Sequence, residues 1–404
     1  MIKVISSKTI GHRESIALMA LMISLVALAI DTMLPALYQI GDTFGVTDPN
    51  DNQLVITSLF LGMGIAQLFY GPLSDSIGRK PCIYMGIAVF IAGCLLSLFA
   101  TTFDQMIAGR VLQGLGVAAP RIVTVALIRD QYEGRKMAQV MSLVMTLFIL
   151  MPVIAPALGQ AILLFAHWRA IFAAILVTAI VAAVWFGLRQ PETLPPERRV
   201  DFSFPVVLAA LRAVCLSRIA LGYTLVNGIV SGIFVAFLSS SQQLLQIQYE
   251  LGARFPLYFA VIALSIGAAS FVNARLVLRH GMVILSSWAL TLFFVSSLLF
   301  TIIVMWFGDP PLWFFISFLL FNFFCIGILF GNLSALAMQP LGRIAGAGAA
   351  VTGSLSTFIA LPIAMLVGDA YDGTVLPLAL GFAVFSLLGL SVFFWTSRGA
   401  DTDK

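Results

Sequence analysis

Charge is what this sequence has least of. Only 10% of its 404 residues are Asp, Glu, Lys or Arg, while 60% are hydrophobic, and the mean hydropathy is +1.04. A soluble globular chain carries roughly 25% charged residues, so water is not the solvent for most of this one. Cysteine is scarce as well. The four present, Cys82, Cys94, Cys215 and Cys325, fall in apolar runs or on the side expected to face the cytoplasm, which excludes an outer disulfide framework. The three histidines, His12, His167 and His280, have no metal-ligand spacing. A Walker A loop, a zinc motif and a nucleophile elbow are all missing. No enzyme activity, metal or cofactor is expected.

What is there instead is apolar sequence in long, unbroken runs. Lipid admits only helices and closed barrels, because every backbone polar group must be satisfied internally. Continuous runs of about 20 apolar residues, without alternation, predict helices. Twelve spans are predicted, near 16–40, 53–73, 82–100, 106–128, 137–163, 168–188, 218–243, 255–276, 282–306, 311–337, 345–369 and 374–396. The span at 218–243 is the least regular, because "SSSQQ" closes it with polar residues.

Most of the 22 basic residues, Lys3, Lys8 and Lys404 among them, fall in loops on one side. Asp42, Asp48, Asp51, Asp104, Glu250, Asp309, Asp369 and Asp372 fall on the other. This bias predicts a multi-pass membrane protein with both termini in the cytoplasm. The net charge of +4 is then a matter of topology, and no nucleic-acid partner is expected. A second reading of the start is a cleavable signal, "MIKVISSKTIGHR" followed by an apolar run with "ALA" as its cleavage site. It would leave eleven spans and invert the loop bias, so the run is read as span 1.

The stretch "RQPETLPPERRVDFSFP", 189–205, is the one clear linker. It divides the spans six and six. The expected organisation is an N-terminal six-helix bundle over 1–190, a cytoplasmic linker over 191–216 and a C-terminal six-helix bundle over 217–404. Such halving marks transporters built from repeats, with the substrate site near the midplane between them. A channel or sensor with one long loop is the alternative.

After span 2 comes "GPLSDSIGRKP", 71–81. Gly71 and Gly78 permit a sharp turn between helices, and Asp75, Arg79 and Lys80 can bond across helix ends. Span 4 holds "RVLQGLGVAAPRIV", 110–123, with Arg110, Gln113 and Gly114 in series. Span 5 holds "PVIAPALGQ", 152–160, where Pro152, Pro156 and Gly159 share one helix face. Together these resemble the gate motif G-x-L-x-D-R-x-G-R-K, the span 4 motif R-x-x-Q-G-x-G and the antiporter motif of the major facilitator superfamily. "IDTMLPAL" in span 1 and "MQPLGRIAGAGAAVTGSL" before span 11 further resemble the drug:proton antiporters of the Bcr/CflA type.

The resemblance implies an all-α membrane protein of the major facilitator fold. It implies a monomer that exports small amphipathic compounds in exchange for protons. Ser76 stands where the family's gate motif has an arginine, which implies a weaker latch, and Arg129 is a candidate partner for Asp75. Gln160 replaces the antiporter motif's usual second glycine. A decayed second copy of the gate loop, "NARLVLRHG", 273–281, keeps Asn273, Arg279 and Gly281 but no acid.

Asp31 is the anomaly in span 1, since a carboxylate in hydrocarbon is costly unless paired or protonated. Counting helix rise from the inner ends puts Asp31 and Arg110 at the same depth, roughly 22–27 Å. They are predicted to pair, either for stability alone or as a proton switch. Arg121 lies three turns from Arg110 on the same face of span 4, about 16 Å nearer the cytoplasm. It either snorkels or recognises an acidic substrate, which would suit a dedicated exporter of one acidic metabolite or siderophore. Position 23, where some relatives carry a second acid, is Ile23, which implies electroneutral exchange or a single proton per cycle and little export of dications. Asn227 and Asn332, with Gln113, are candidate cavity residues, while Asn273, Asn322 and Gln339 can bond substrate or bridge helices.

Overall fold

The computed structural model describes residues 11–400, and they are all-helical. Lys3, Lys8 and Lys404, and all but the end of the candidate signal stretch, lie outside the described residues. In chain order the α-helices are α1 (His12–Asp31), α2 (Leu37–Phe44), α3 (Leu54–Ile77), α4 (Arg79–Leu98), α5 (Phe103–Gln131), α6 (Gly134–Phe165) and α7 (Arg169–Arg189). There follow α8 (Phe204–Leu216), α9 (Arg218–Ser241), α10 (Phe255–His280), α11 (Met282–Phe307), α12 (Leu312–Met338), α13 (Ala345–Asp369) and α14 (Leu376–Ala400). Among the described residues, twelve helical units are long and apolar enough to cross a membrane, one at each predicted span.

Three departures from expectation matter. Span 1 is not one helix. It stops at Asp31, passes through a 3-10 turn at Leu34–Ala36 and resumes as α2. Pro35 is the cause, because it has no N–H to offer the Asp31 carbonyl four residues back. Span 7 is longer than 218–243, since α9 runs on into a π-helical stretch, Gln242–Gln248, and the whole "SSSQQ" sequence is buried. The linker contains a helix, α8, whose Val207, Ala210 and Val214 are buried.

Gly78 turns the chain between α3 and α4 at φ +102°, and Gly281 does the same between α10 and α11 at φ +77°. The decayed gate copy therefore keeps its backbone role. Gly71 has no such role. It lies inside α3, and a Cβ there would meet only the Ala350 Cβ at an ordinary 3.9 Å.

Helices α1 and α3 to α7 pack chiefly on one another, as do α9 to α14. The two groups meet mainly where α3 lies along α13 and α6 along α10. A cavity of about 420 Å³ lies between the groups, lined from both.

Candidate functional site

The cavity is largely apolar. Phe60, Phe148, Phe234, Phe259, Phe323 and Phe330 supply aromatic wall, with Ser231, Ser334, Asn227 and Thr357 as uncharged polar lining. Among its described lining residues only Asp31 and Arg121 carry charge. Asp31 is 5% exposed and sits at the last position of α1, where the helix breaks. Broken spans at a repeat interface are where transporters place polar sites, because freed backbone is tolerated only beside a cavity. Gly159 of the antiporter motif makes the break possible. A Cβ on it would come within 2.1 Å of the Thr32 carbonyl oxygen, so only glycine lets α6 approach the broken segment. Pro152 lines the cavity, and Pro156 lies one turn further along the same helix.

The expected ion pair between Asp31 and Arg110 does not form. The Arg110 guanidinium, wholly buried, donates from Nε to the Val55 carbonyl at 2.7 Å and from Nη1 to the Ala29 carbonyl at 2.9 Å and Gln113 Oε1 at 2.7 Å. The depth match holds, since Ala29 is two residues before Asp31. The partner is backbone instead, because carbonyls of α1 and α3 surround the fork and leave only Nη2 unbonded. Arg110 thus ties α5 to the helix that carries Asp31. Gln113 belongs to that same tie and not to the cavity. Its Nε2 reaches the Gly93 carbonyl at 3.3 Å and Ser97 Oγ at 3.1 Å, joining α5 to α4.

Arg121 lines the cavity, whereas Arg110, expected on the same helix face, does not. The one hydrogen bond of Arg121 is from Nη1 to Met63 Sδ at 3.4 Å, and a thioether is a weak acceptor. Asn227 also lines the cavity. Its Nδ2 donates to Ser356 Oγ at 3.1 Å, while its buried Oδ1 has no partner. Asn332 does not line it. Asn332 and Asn273 exchange amide bonds at 3.0 and 2.9 Å and lock α12 to α10. Asn322 is likewise spent on Ser296 and Ser297.

The gate motif forms a compact ionic cluster. Arg79 contacts Asp75 at 2.5 Å and Asp130 at 2.9 Å, and donates to Ser74 Oγ at 2.7 Å. Arg129 is exposed and is not the partner of Asp75. Asp130, the next residue, faces the cluster and is joined to it through Arg79. Lys80 Nζ holds the Gly187 and Gln190 carbonyls at 2.9 and 2.8 Å, at the end of α7 where helix carbonyls lack amide partners.

Glu192, a linker residue without a motif, accepts from the Arg79 and Lys80 amides at 3.1 and 2.9 Å and so caps α4. It also accepts from the Thr193 and Leu194 amides, each at 2.9 Å. Burial pushes the Glu192 carboxyl up, and those four amides outweigh burial and hold it below its ordinary value. Ser76, in the place of the usual arginine, accepts the Phe202 amide at 3.2 Å, and the Val200 amide bonds the Asp75 carbonyl at 3.1 Å. The linker therefore covers the position where a charge is missing. Glu192 was not legible in the sequence, because an isolated glutamate in a charged linker carries no spacing signal.

The profile of the Major Facilitator Superfamily matches residues 19–365. The chain is 28% identical over 378 residues to the bicyclomycin resistance protein homolog of Haemophilus influenzae, covering 91% of this chain and 92% of that one. It is 25% identical over 359 residues to multidrug resistance protein D of Escherichia coli, covering 85% and 86%. Among solved structures, it superposes on the POT family transporter PepTSo with a TM-score of 0.74, over 98% of this chain and 99% of that one. At 14% identity that likeness is one of fold alone. Twelve apolar helices, the gate and antiporter motifs and full-length relatives of the Bcr/CflA type agree that this chain belongs to the major facilitator superfamily and is a multi-pass membrane transporter, not an enzyme.

Proposed function

We propose that this protein is a proton-coupled antiporter that exports small amphipathic compounds across the bacterial inner membrane by alternating access. Residues 1–190 and 217–404 act as two six-helix halves that rock about the cavity, joined by a cytoplasmic linker over 191–216 that contains α8. Both termini are cytoplasmic, and the working unit is the monomer.

The observation that carries this reading is Asp31. It is the one carboxylate among the described residues lining the cavity, it has no hydrogen bond or ion pair there, and it ends a broken helix. A buried acid without a partner is costly when charged, so bound substrate or bound proton stabilises it, and each displaces the other. Arg110 acts on Asp31 through the Ala29 carbonyl, fixing the height of α1 against α5. Transport in proteoliposomes with an imposed pH gradient tests the proposal. Wild type should exchange chloramphenicol for protons, and Asp31→Asn should not. An Asp31→Asn protein that still exchanges substrate for protons overturns it.

A further inference from the structure

We infer that the cavity is built for amphipathic zwitterions, with an acidic group held by Arg121 and a protonated amine held by Asp31 at the other end. This rests on the antiport reading above and narrows it to a substrate class. The first support is the charge inventory, in which Asp31 and Arg121 are the only charged side chains among the described residues lining the cavity. They do not neutralise each other, since no ion pair joins them.

Their separation can be read along α3. Arg110 Nε bonds the Val55 carbonyl and Arg121 Nη1 touches Met63 Sδ. Eight residues of helix put the second guanidinium about 12 Å below the first. Asp31 lies two residues beyond Ala29, which Arg110 also holds, so acid and base stand roughly 12–15 Å apart along the bundle. Phe60, Phe148, Phe234 and Phe323 are among the apolar lining, and such walls suit a flat body between two polar ends.

The charge logic selects among ligands. Met63 sulfur leaves most of the Arg121 donors free, and a guanidinium fork matches a carboxylate, sulfonate or phosphonate. A purely anionic substrate would add negative charge to a cavity that already holds Asp31 and so favour its protonation. By reciprocity, proton and anion would then bind together, which gives cotransport and not exchange. A purely cationic substrate would compete with the proton at Asp31 but leave Arg121 facing a like charge. Only a molecule with separated opposite charges displaces the proton and also pairs Arg121.

The test uses one rigid scaffold in three charge states: 4'-(aminomethyl)biphenyl-4-carboxylic acid, its methyl ester and its N-acetyl derivative. Proteoliposomes of the full chain, acid inside, report proton exit on probe entry by the internal dye pyranine, with chloramphenicol as a neutral reference. The zwitterion should drive proton exit at least tenfold faster than either derivative. Arg121→Gln should remove that preference over the ester, and Arg121→Lys should restore most of it. Equal rates for the three probes in wild type, or an unchanged preference in Arg121→Gln, overturn the inference. If chloramphenicol still drives proton exit in that case, the antiport reading survives alone. If neither chloramphenicol nor any probe moves protons, both fall.

Discussion

Gly159 and Thr32 show how one residue can hold a site open. The antiporter-motif glycine was legible from its spacing to Pro152 and Pro156, but its purpose was not, because the atom it touches belongs to a helix break 127 positions earlier in the chain. A methyl group there would sit 2.1 Å from a backbone oxygen that cannot rotate away. Gly159→Ala should therefore displace α6 or close the break at Asp31, at a cost on the order of 1–3 kcal/mol. The expected result is a lowered melting temperature in detergent together with loss of proton exchange. Wild-type melting and transport in Gly159→Ala would show that the contact has no consequence. Arg110 teaches the complementary lesson. Its depth could be counted from helix rise, yet its partners are the carbonyls of Val55 and Ala29. Every residue has a carbonyl, so no residue type marked them in advance.

At the scale of elements, hydropathy located all twelve spans because lipid imposes the same demand on each. The linker obeys a different rule, and there α8 was missed. Its signal was present in Val207, Ala210 and Val214, spaced to share one helix face behind Pro205 near the helix start. That face joins a cluster with Leu68 of α3 and with Leu341 and Val351 at and beside α13, so α8 braces the gate-motif end against both groups of helices.

Glu192 fastens the same linker to α4, and its titration gives a test of that bond. Folding lowers its proton affinity, so the unfolded chain holds the proton more tightly than the folded one. The stability it lends is intact above the ordinary carboxylate range and is lost as pH falls through the lowered folded value. The melting temperature of wild type should exceed that of Glu192→Gln at neutral pH, and the gap should close below the ordinary carboxylate range. Parallel melting curves from neutral to acid pH would show that Glu192 does not hold the linker.

At the scale of the whole molecule, the two ends of the bundle are joined by different chemistry. The gate-motif end is ionic, with its Asp75–Arg79–Asp130 cluster on one group of helices. The opposite end, which lies outside under the proposed topology, is joined across the two groups by uncharged amides. Gln53 Nε2 donates to Gln243 Oε1 at 2.8 Å and to the Gly368 carbonyl at 3.1 Å, and its Oε1 accepts from Ser239 Oγ at 3.2 Å. Gln243 in turn reaches the Pro49 carbonyl at 3.1 Å and Asn50 Oδ1 at 3.0 Å. In the sequence, Ser239 and Gln243 stood out only as part of an odd polar close to a membrane span, and Gln53 carried no signal.

Amides hold without titrating, so under the proposed exchange this end would stay shut whether or not Asp31 carries a proton. Opening it must break the bonds made by Gln53, each with a net contribution of about 0.5–1.5 kcal/mol. Gln53→Ala removes four of them, the 3.5 Å bond from Ser240 Oγ included, and should shift the balance toward the outward-open form by about tenfold or more. In a background with all four cysteines replaced, Ser231→Cys places one thiol on the cavity wall. A membrane-impermeant thiol reagent added to right-side-out vesicles should then label it several-fold faster when Gln53→Ala is also present. In inside-out vesicles the same pair should show slower labelling, because one population grows at the expense of the other. Faster labelling from both sides would mean a loosened bundle and no outer latch, and unchanged labelling from outside would mean that these amides do not hold the halves together.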